Sequence, residues 1–111
     1  MTDAELIEFA TDFRRGLLGR RSSRYRCATV SWPLASLLEL NGVACAIACC
    51  KLSDEAHAVQ HVWIELPDGR VLDATADQFN KRGQKRKYPP VYLGKPLLFH
   101  KGEQLLVEEA A

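Results

Sequence analysis

A short turn segment, Leu66-Pro67-Asp68-Gly69, restricts the fold of this chain more than any other feature of its 111 residues. Proline favours the second position of a type I turn and glycine tolerates the left-handed position that follows, so the segment predicts a three-residue hairpin loop. The apolar runs on either side, 59–66 and 70–75, are expected to pair as antiparallel strands. The chain therefore contains a predicted β-hairpin.

The length of this loop decides which side chains of the hairpin share a face. With three loop residues, Trp63 faces Asp73 across the strands. His61 then faces Thr75, so His61 and Asp73 become diagonal neighbours on one face. A two-residue loop would instead place Asp73 opposite Ile64, on the other face from His61. The turn chemistry thus predicts an imidazole and a carboxylate within reach of each other.

Two helices are predicted before the hairpin. Residues 2–18 begin with a capping box at Thr2 and carry apolar side chains at helical spacing. The second helix is predicted over 27–40 and ends at an Asn-Gly stop. Pro33 leaves its start open, because the helix either begins at position 27 and kinks at the proline or begins near Ser31.

Further short strands complete the predicted fold. One is expected over the apolar residues 43–52, before the hairpin, and two more over 91–93 and 97–100. The acidic end, 107–111, is expected to be frayed. The whole chain is long enough for a single domain, and we expect an α+β fold with two helices on an antiparallel sheet of about four or five strands.

Cys27 is a candidate nucleophile because of its surroundings in the sequence. A thiol reacts as its thiolate, which positive charge and a helix N-terminus both favour. Cys27 follows Arg24 and Arg26 and opens an apolar helix. A cysteine by itself is more often a small buried hydrophobe, so the prediction depends on His61 and Asp73 as partners.

A cysteine that opens a helix, followed by HVWIELPDGRVLDATADQF, resembles the core of the transglutaminase-like and papain-like cysteine enzymes. The resemblance covers 27–79 and is most specific at HVWIEL and DAT. It implies that Cys27 is the nucleophile, His61 the general base and then acid, and Asp73 the group that orients the imidazole. Peptidases, transglutaminases, deamidating toxins and the small bacterial or phage-type leader peptidases of lasso-peptide pathways are similar. Pro33 departs from the smooth helix that usually follows the nucleophile.

The function implied by this resemblance is hydrolysis of a peptide, isopeptide or related amide bond through a thioester. Acyl transfer or protein deamidation by the same three residues is the alternative, because both share the thioester step. No cofactor is expected, and the substrate is a peptide or protein whose binding residues the sequence leaves unassigned. The Cys27 backbone amide is expected in the oxyanion hole, with Gln78 and the segment 24–26 as candidates for its second donor.

Basic residues suggest a competing function. Although the net charge is only +1, eleven of the fifteen basic residues lie in two clusters. These are Arg14, Arg15, Arg20, Arg21, Arg24 and Arg26, and Lys81, Arg82, Lys85, Arg86 and Lys87. Such clusters suit either an acidic protein or a nucleic-acid backbone, or they form a solvated surface. A non-catalytic interaction module is therefore the alternative to an enzyme.

A zinc site is weighed and not expected. Cys45, Cys49, His57 and His61 form a Cys-x3-Cys and a His-x3-His pair, but their seven-residue separation is short against about twelve in zinc fingers. His100 has no partner that the sequence identifies. The acidic, interrupted start of the chain predicts neither a signal peptide nor a membrane span, and with reduced thiols this indicates a cytoplasmic location.

Overall fold

A computed structural model describes residues 1–51, 60–100 and 104–107 of the chain. The helices are α1 (Asp3–Leu18) and α2 (Cys27–Leu40), and the strands are β1 (Ala46–Lys51), β2 (Gln60–Glu65), β3 (Val71–Asp73), β4 (Tyr92–Gly94) and β5 (Gln104–Val107). The strands form one five-stranded sheet in the order β4-β3-β2-β1-β5, and every pairing is antiparallel. The α+β class and the two helices on an antiparallel sheet are as predicted.

Helix α1 begins with the predicted capping box. The Thr2 hydroxyl accepts a hydrogen bond from the Glu5 backbone N–H at 3.1 Å, and the Glu5 carboxylate accepts one from the Thr2 N–H at 2.9 Å. Gly19 ends the helix with a φ of 58° and donates its N–H to the Arg15 carbonyl. These local bonds satisfy backbone groups that a helix end would otherwise leave unpaired.

Helix α2 runs without interruption from Cys27 to Leu40, with Pro33 in its interior. The start at position 27 is therefore the correct one of the two predicted, and the Thr29 carbonyl receives no bond from the proline nitrogen. The first turn lies against β2, where the Ser31 hydroxyl donates to the Val62 carbonyl at 3.2 Å. The fully buried side chains of the helix are Val30, Leu34 and Leu38.

The hairpin has the predicted three-residue loop. Leu66 donates its N–H to the Arg70 carbonyl at 2.9 Å, and the Gly69 N–H returns to the Leu66 carbonyl at 3.0 Å. Gly69 has a φ of 87°, which only glycine adopts readily. Ile64 pairs with Leu72 in the resulting register, as the loop length requires.

The sheet has an apolar face toward the helices and a second face that carries the polar side chains described below. The larger apolar cluster includes Ile47, Ile64 and Leu72 together with the buried residues of α2. Trp63 lies on the second face, fully buried beside Ala48 and Val71. Within the described part of the chain, no helix is both long and apolar enough to span a bilayer.

The last third of the fold differs from the prediction. Residues Leu98–His100 form a 3₁₀ helix and not a strand, because the His100 N–H closes a turn onto the Leu97 carbonyl at 2.9 Å. Gln104–Val107 was not predicted as a strand, yet it pairs with β1 and extends the sheet. The rest of the acidic end lies outside the described residues, so the expectation of fraying stays a prediction.

Strand β4 lies one residue later than predicted. Strand β1 begins at Ala46 and not at position 43, β2 ends at Glu65 and not at position 66, and β3 covers only Val71–Asp73 of the predicted 70–75. Position 59, the expected start of the second of these strands, lies outside the described residues. The basic segment 80–90 contains neither helix nor strand, in agreement with the predicted loop. Position 52, the expected end of the first strand, lies outside the described residues. These differences change no pairing in the hairpin.

Arg14 joins α1 to the segment that follows β3. Its guanidinium donates to both carboxylate oxygens of Asp77 at 2.7 Å. The same group donates to the carbonyls of Ala74 and Pro90, each at 2.9 Å, and the Ser23 hydroxyl donates to Asp77 at 2.7 Å. Arg14 therefore acts as a structural cation inside the fold. Four other arginines of its predicted cluster are exposed: Arg15, Arg20, Arg21 and Arg24.

Candidate active site

The hairpin register brings His61 and Asp73 together. The pairing of Ile64 with Leu72 extends to Trp63 opposite Asp73, so His61 lies diagonally across from the carboxylate on the same face. The His61 Nε2 atom is 2.6 Å from Asp73 Oδ2, and both residues are 0% exposed. The contact expected from the turn chemistry is present.

Cys27 reaches the same imidazole from the first turn of α2. Its thiol hydrogen-bonds with His61 and with the backbone amides of Val62 and Ala28. Since Asp73 occupies Nε2, the ring nitrogen left for the sulfur is Nδ1. Cys27 keeps 7% of its surface exposed whereas His61 is enclosed, so the sulfur is the more accessible atom of the pair.

The surroundings of Cys27 favour its thiolate. Burial alone would raise the pKa of the Cys27 thiol, but the hydrogen bonds with His61 and the Val62 backbone lower it, and the net shift is downward. A lowered pKa increases the thiolate fraction at neutral pH. The helix start contributes in the same direction, because a hydrogen bond from the Ala28 backbone also lowers the pKa of the thiol.

The pKa of His61 shifts in the complementary direction. Burial lowers the pKa of the ring, yet the hydrogen bonds with Asp73 and Cys27 outweigh it and raise the pKa to about 9. The imidazolium is stabilised when it lies between a carboxylate and a thiolate. The two opposite shifts favour a thiolate–imidazolium pair, the form in which cysteine nucleophiles react.

Asp73 is held ionised although it is fully buried. Burial raises the pKa of this carboxyl, but the hydrogen bonds from His100 and His61 outweigh burial and lower the pKa to about 2. Asp73 Oδ1 also accepts from the Thr75 N–H at 2.9 Å and from the Thr75 hydroxyl at 3.3 Å. Both carboxylate oxygens are thus satisfied, which removes much of the cost of a buried charge.

His100 is a buried part of this network that the sequence did not reveal. Its Nε2 lies 2.7 Å from Asp73 Oδ2, and its Nδ1 accepts the Leu97 N–H at 3.0 Å. Because Nδ1 accepts, the proton of a neutral ring is on Nε2 and is donated to Asp73. A predicted strand over 97–100 gave no reason to turn the ring inward, so no local signal could have identified this contact.

Gln78 lies beside the reactive nitrogen of His61. It belongs to a 3₁₀ helix, Ala76–Phe79, directly after β3. Its amide nitrogen is 2.9 Å from the Thr75 hydroxyl and 3.3 Å from His61 Nδ1. Gln78 was a candidate for the second oxyanion donor, and its amide nitrogen lies next to Nδ1, the ring nitrogen that is left for the sulfur. Its oxyanion role stays a prediction.

The other oxyanion candidates, residues 24–26, form a turn before α2. Tyr25 has a φ of 63°, an uncommon conformation for a residue other than glycine, and its side chain is exposed. The Arg26 N–H donates to the Ser23 carbonyl at 3.0 Å. This turn sets the entry of the chain into α2 and thereby the position of Cys27.

The ligand atoms of His61, Asp73 and His100 lie within 4.8 Å of one another, which is a spacing that a metal ion could bridge. A metal-bound histidine usually donates its other ring N–H to a carbonyl or carboxylate. The other nitrogen of His100 instead accepts the Leu97 N–H, and both Nε2 atoms contact one carboxylate oxygen directly. These donors fit a hydrogen-bonded network better than a metal cage.

The zinc set considered from the sequence is not assembled among the described residues. Cys45 donates its thiol to the Ala35 carbonyl at 3.6 Å, and burial raises its pKa to about 11. Such a thiol stays protonated at neutral pH and is a poor metal ligand. His61 is bound to Asp73, and His57 lies outside the described residues.

No protein-family model, curated protein or solved structure matches this chain. A functional conclusion therefore depends on the chemistry of the network around Cys27.

Proposed function

We propose that this protein is a thiol hydrolase that cleaves a peptide, isopeptide or related amide bond through Cys27, His61 and Asp73. The observation that carries the proposal is the position of one imidazole, which contacts the thiol and a buried carboxylate at the same time. The order of the three residues on a helix and two successive strands also supports membership of the transglutaminase-like and papain-like cysteine enzymes.

In the proposed reaction, the Cys27 thiolate attacks the amide carbonyl carbon and the carbonyl electrons move onto oxygen. His61 then gives its Nδ1 proton to the leaving nitrogen as the carbon–nitrogen bond breaks, which leaves a thioester on the sulfur. Water attacks the thioester and His61 takes a proton from that water. The carbon–sulfur bond then breaks, the carboxylic acid leaves, and the thiolate–imidazolium pair is restored. Asp73 holds the Nε2–H throughout and stabilises the imidazolium.

Acyl transfer and deamidation share the thioester step and differ from this scheme only in the leaving group or in the nucleophile that attacks the thioester. An amine in place of water makes an amide and a transferase, and a glutamine side chain as the substrate releases ammonia. A cytoplasmic location suits the proposed thiol chemistry, because Cys27 must stay reduced.

The first test is alkylation by iodoacetamide at pH 7, followed by peptide mapping. Cys27 is expected to react faster than Cys45, Cys49 and Cys50, and His61→Ala should remove that advantage. Cys45→Ser is the matched control and should leave the Cys27 rate unchanged, because Cys45 contacts the Ala35 carbonyl outside the network. Equal rates at all four cysteines would contradict the proposal.

The second test asks whether the thiol becomes acylated. Incubation with p-nitrophenyl acetate is expected to give a transient acetyl thioester on Cys27, detected by intact-mass and peptide mass spectrometry. Asp73→Asn should slow this step. Two results together would favour a non-catalytic interaction module. The first is uniform labelling of the cysteines. The second is salt-sensitive binding of acidic peptides or nucleic acid that is unchanged in Cys27→Ala.

A further inference from the structure

A pocket of about 760 Å³ opens beside the candidate active site. Gln78 and Phe79 line it, and both also contact His61. The Gln78 amide is 3.3 Å from His61 Nδ1, and the Phe79 ring meets the imidazole edge-on with centroids 4.7 Å apart. The pocket therefore lies next to two side chains that pack against His61, although His61 and Cys27 are not among its lining residues.

The apolar part of the pocket is formed by aromatic rings that pack on one another. Phe79 and Phe99 stack with their centroids 4.2 Å apart, and Tyr88 meets Phe99 edge-on at 4.9 Å. Leu98 lies at the same pocket with 82% of its surface exposed, so its side chain is accessible to a ligand there. This wall suits an apolar side chain of a bound ligand.

The polar part of the pocket is positively charged. Arg24, Lys81 and Arg82 line it, and no carboxylate is among the described residues of the lining. Arg14 and Arg70 have acidic partners, but in the part of the chain that the structure describes these three cations form no ion pair. The unneutralised charge favours an anionic ligand.

We propose that this pocket binds an acidic stretch of the substrate polypeptide that also carries an apolar side chain, next to the amide bond that Cys27 attacks. The inference rests on the proposed hydrolase function and names its substrate class. Nucleic acid fits less well, because base stacking needs an open aromatic face and Phe79 and Phe99 cover each other. An acidic peptide uses the cations and the apolar wall together.

Binding can be measured without catalysis in Cys27→Ala protein, by fluorescence anisotropy. The probes are a fluorescein-labelled peptide with glutamates around a Leu-Phe pair, the same peptide with lysines for glutamates, and an oligothymidylate. The glutamate peptide is expected to bind most tightly and to weaken as salt rises. Equal affinity for the two peptides, or tighter binding of oligothymidylate, would overturn the proposal.

Two matched variants localise the binding. Lys81→Gln with Arg82→Gln should weaken the glutamate peptide about tenfold, since each removed pocket charge lowers the attraction for the anion. Arg15→Gln removes an exposed arginine of α1 outside the pocket lining and should change affinity less than about twofold. The first variant removes two charges and the second removes one. An equal loss of affinity per removed charge would assign the binding to net charge and overturn the pocket.

Iodoacetamide labelling of Cys27 separates this inference from the proposed function. The Lys81→Gln, Arg82→Gln double variant, with Cys27 retained, should keep the fast alkylation of Cys27. The reason is that neither Lys81 nor Arg82 contacts His61 among the described residues. Fast alkylation together with no preference for the glutamate peptide overturns the pocket alone. Selective peptide binding together with uniform alkylation supports the pocket and contradicts the hydrolase.

Discussion

His100 Nε2 lies 2.7 Å from Asp73 Oδ2, the same oxygen that receives His61 Nε2 at 2.6 Å. One carboxylate oxygen thus joins two buried imidazoles. Because the Leu97 N–H occupies His100 Nδ1, the second histidine serves as a fixed donor to the carboxylate. Within the described part of the chain, the two ring nitrogens of His100 bond to Leu97 and Asp73. In the proposed reaction we therefore assign His100 as a positioning residue for Asp73.

His100→Leu is expected to weaken both the fold and the reactivity of Cys27. The variant leaves the buried carboxylate with one donor fewer, which costs about 1–3 kcal/mol of unfolding free energy. The pKa of His61 should also change because its carboxylate partner becomes more mobile, and the pH profile of Cys27 alkylation reports this. His100→Gln retains a side-chain donor and should recover part of both losses. Identical pH profiles for the two variants and the native protein would show that His100 has no positioning role.

The alkylation of Cys27 and Cys45 should depend differently on pH. The pKa of Cys27 is lowered by its hydrogen bonds in spite of burial, whereas burial raises the pKa of Cys45 to about 11. Cys27 is therefore expected to react at a lower pH than Cys45, which remains protonated at neutral pH and reacts far more slowly. Competitive labelling with light and heavy iodoacetamide over pH 5 to 9 measures both rates in one sample. Parallel profiles for the two thiols would contradict the thiolate–imidazolium pair.

Asp73 is expected to dominate the loss of stability in acid. The folded pKa is lowered to about 2 against an ordinary value of 3.8, so its contribution is present above pH 4 and disappears as the pH falls through about 2. That difference corresponds to about 2 kcal/mol. Urea unfolding from pH 2 to 6 should show a steep acid limb, flattened in Asp73→Asn. Asp12→Asn is the exposed control and should preserve the limb.

The adjacent arginines Arg14 and Arg15 provide a matched pair for stability. Arg14 is 16% exposed and bridges Asp77 with both of its terminal nitrogens, whereas Arg15 is 72% exposed and contacts Asp12 at 3.4 Å. Arg14→Leu should lower the unfolding free energy by about 2 kcal/mol or more, because Asp77 loses a partly buried partner. Arg15→Leu should change it by less than about 0.5 kcal/mol. Denaturant titration measures both, and equal losses would show that the Asp77 contact adds nothing.

Arg14→Leu should also affect the site, because Asp77 and Gln78 are neighbours in the same 3₁₀ helix. Release of that helix would let the Gln78 amide move away from His61 Nδ1. We expect Cys27 of the Arg14→Leu variant to be alkylated more slowly than in the native protein, measured at a pH where the variant remains folded. An unchanged rate would show that the helix is held by other contacts.

Local chemistry made several features predictable. The capping box of Thr2 and Glu5 and the turn at 66–69 depend on residues within four positions of one another, so their geometry follows from backbone preferences. The turn length then fixed the faces of His61 and Asp73, because side chains alternate along a strand. Position 97–100 was predicted incorrectly, because a short apolar run fits either a strand or a 3₁₀ turn and tertiary contacts decide between them.

The sequence by itself determined the helices, the hairpin register and the juxtaposition of one imidazole with one carboxylate. Tertiary structure decided which residues from distant segments contact each other. Cys27 contacts His61, and His100 contacts Asp73, which is 27 residues away in the sequence. Arg14 contacts Asp77, which is 63 residues away. Packing of α2 and the two 3₁₀ helices against the sheet creates these contacts, and no local preference encodes them. The physical reason is that turn geometry acts over a few bonds, whereas burial acts on whole elements and joins whichever polar groups they carry into the interior.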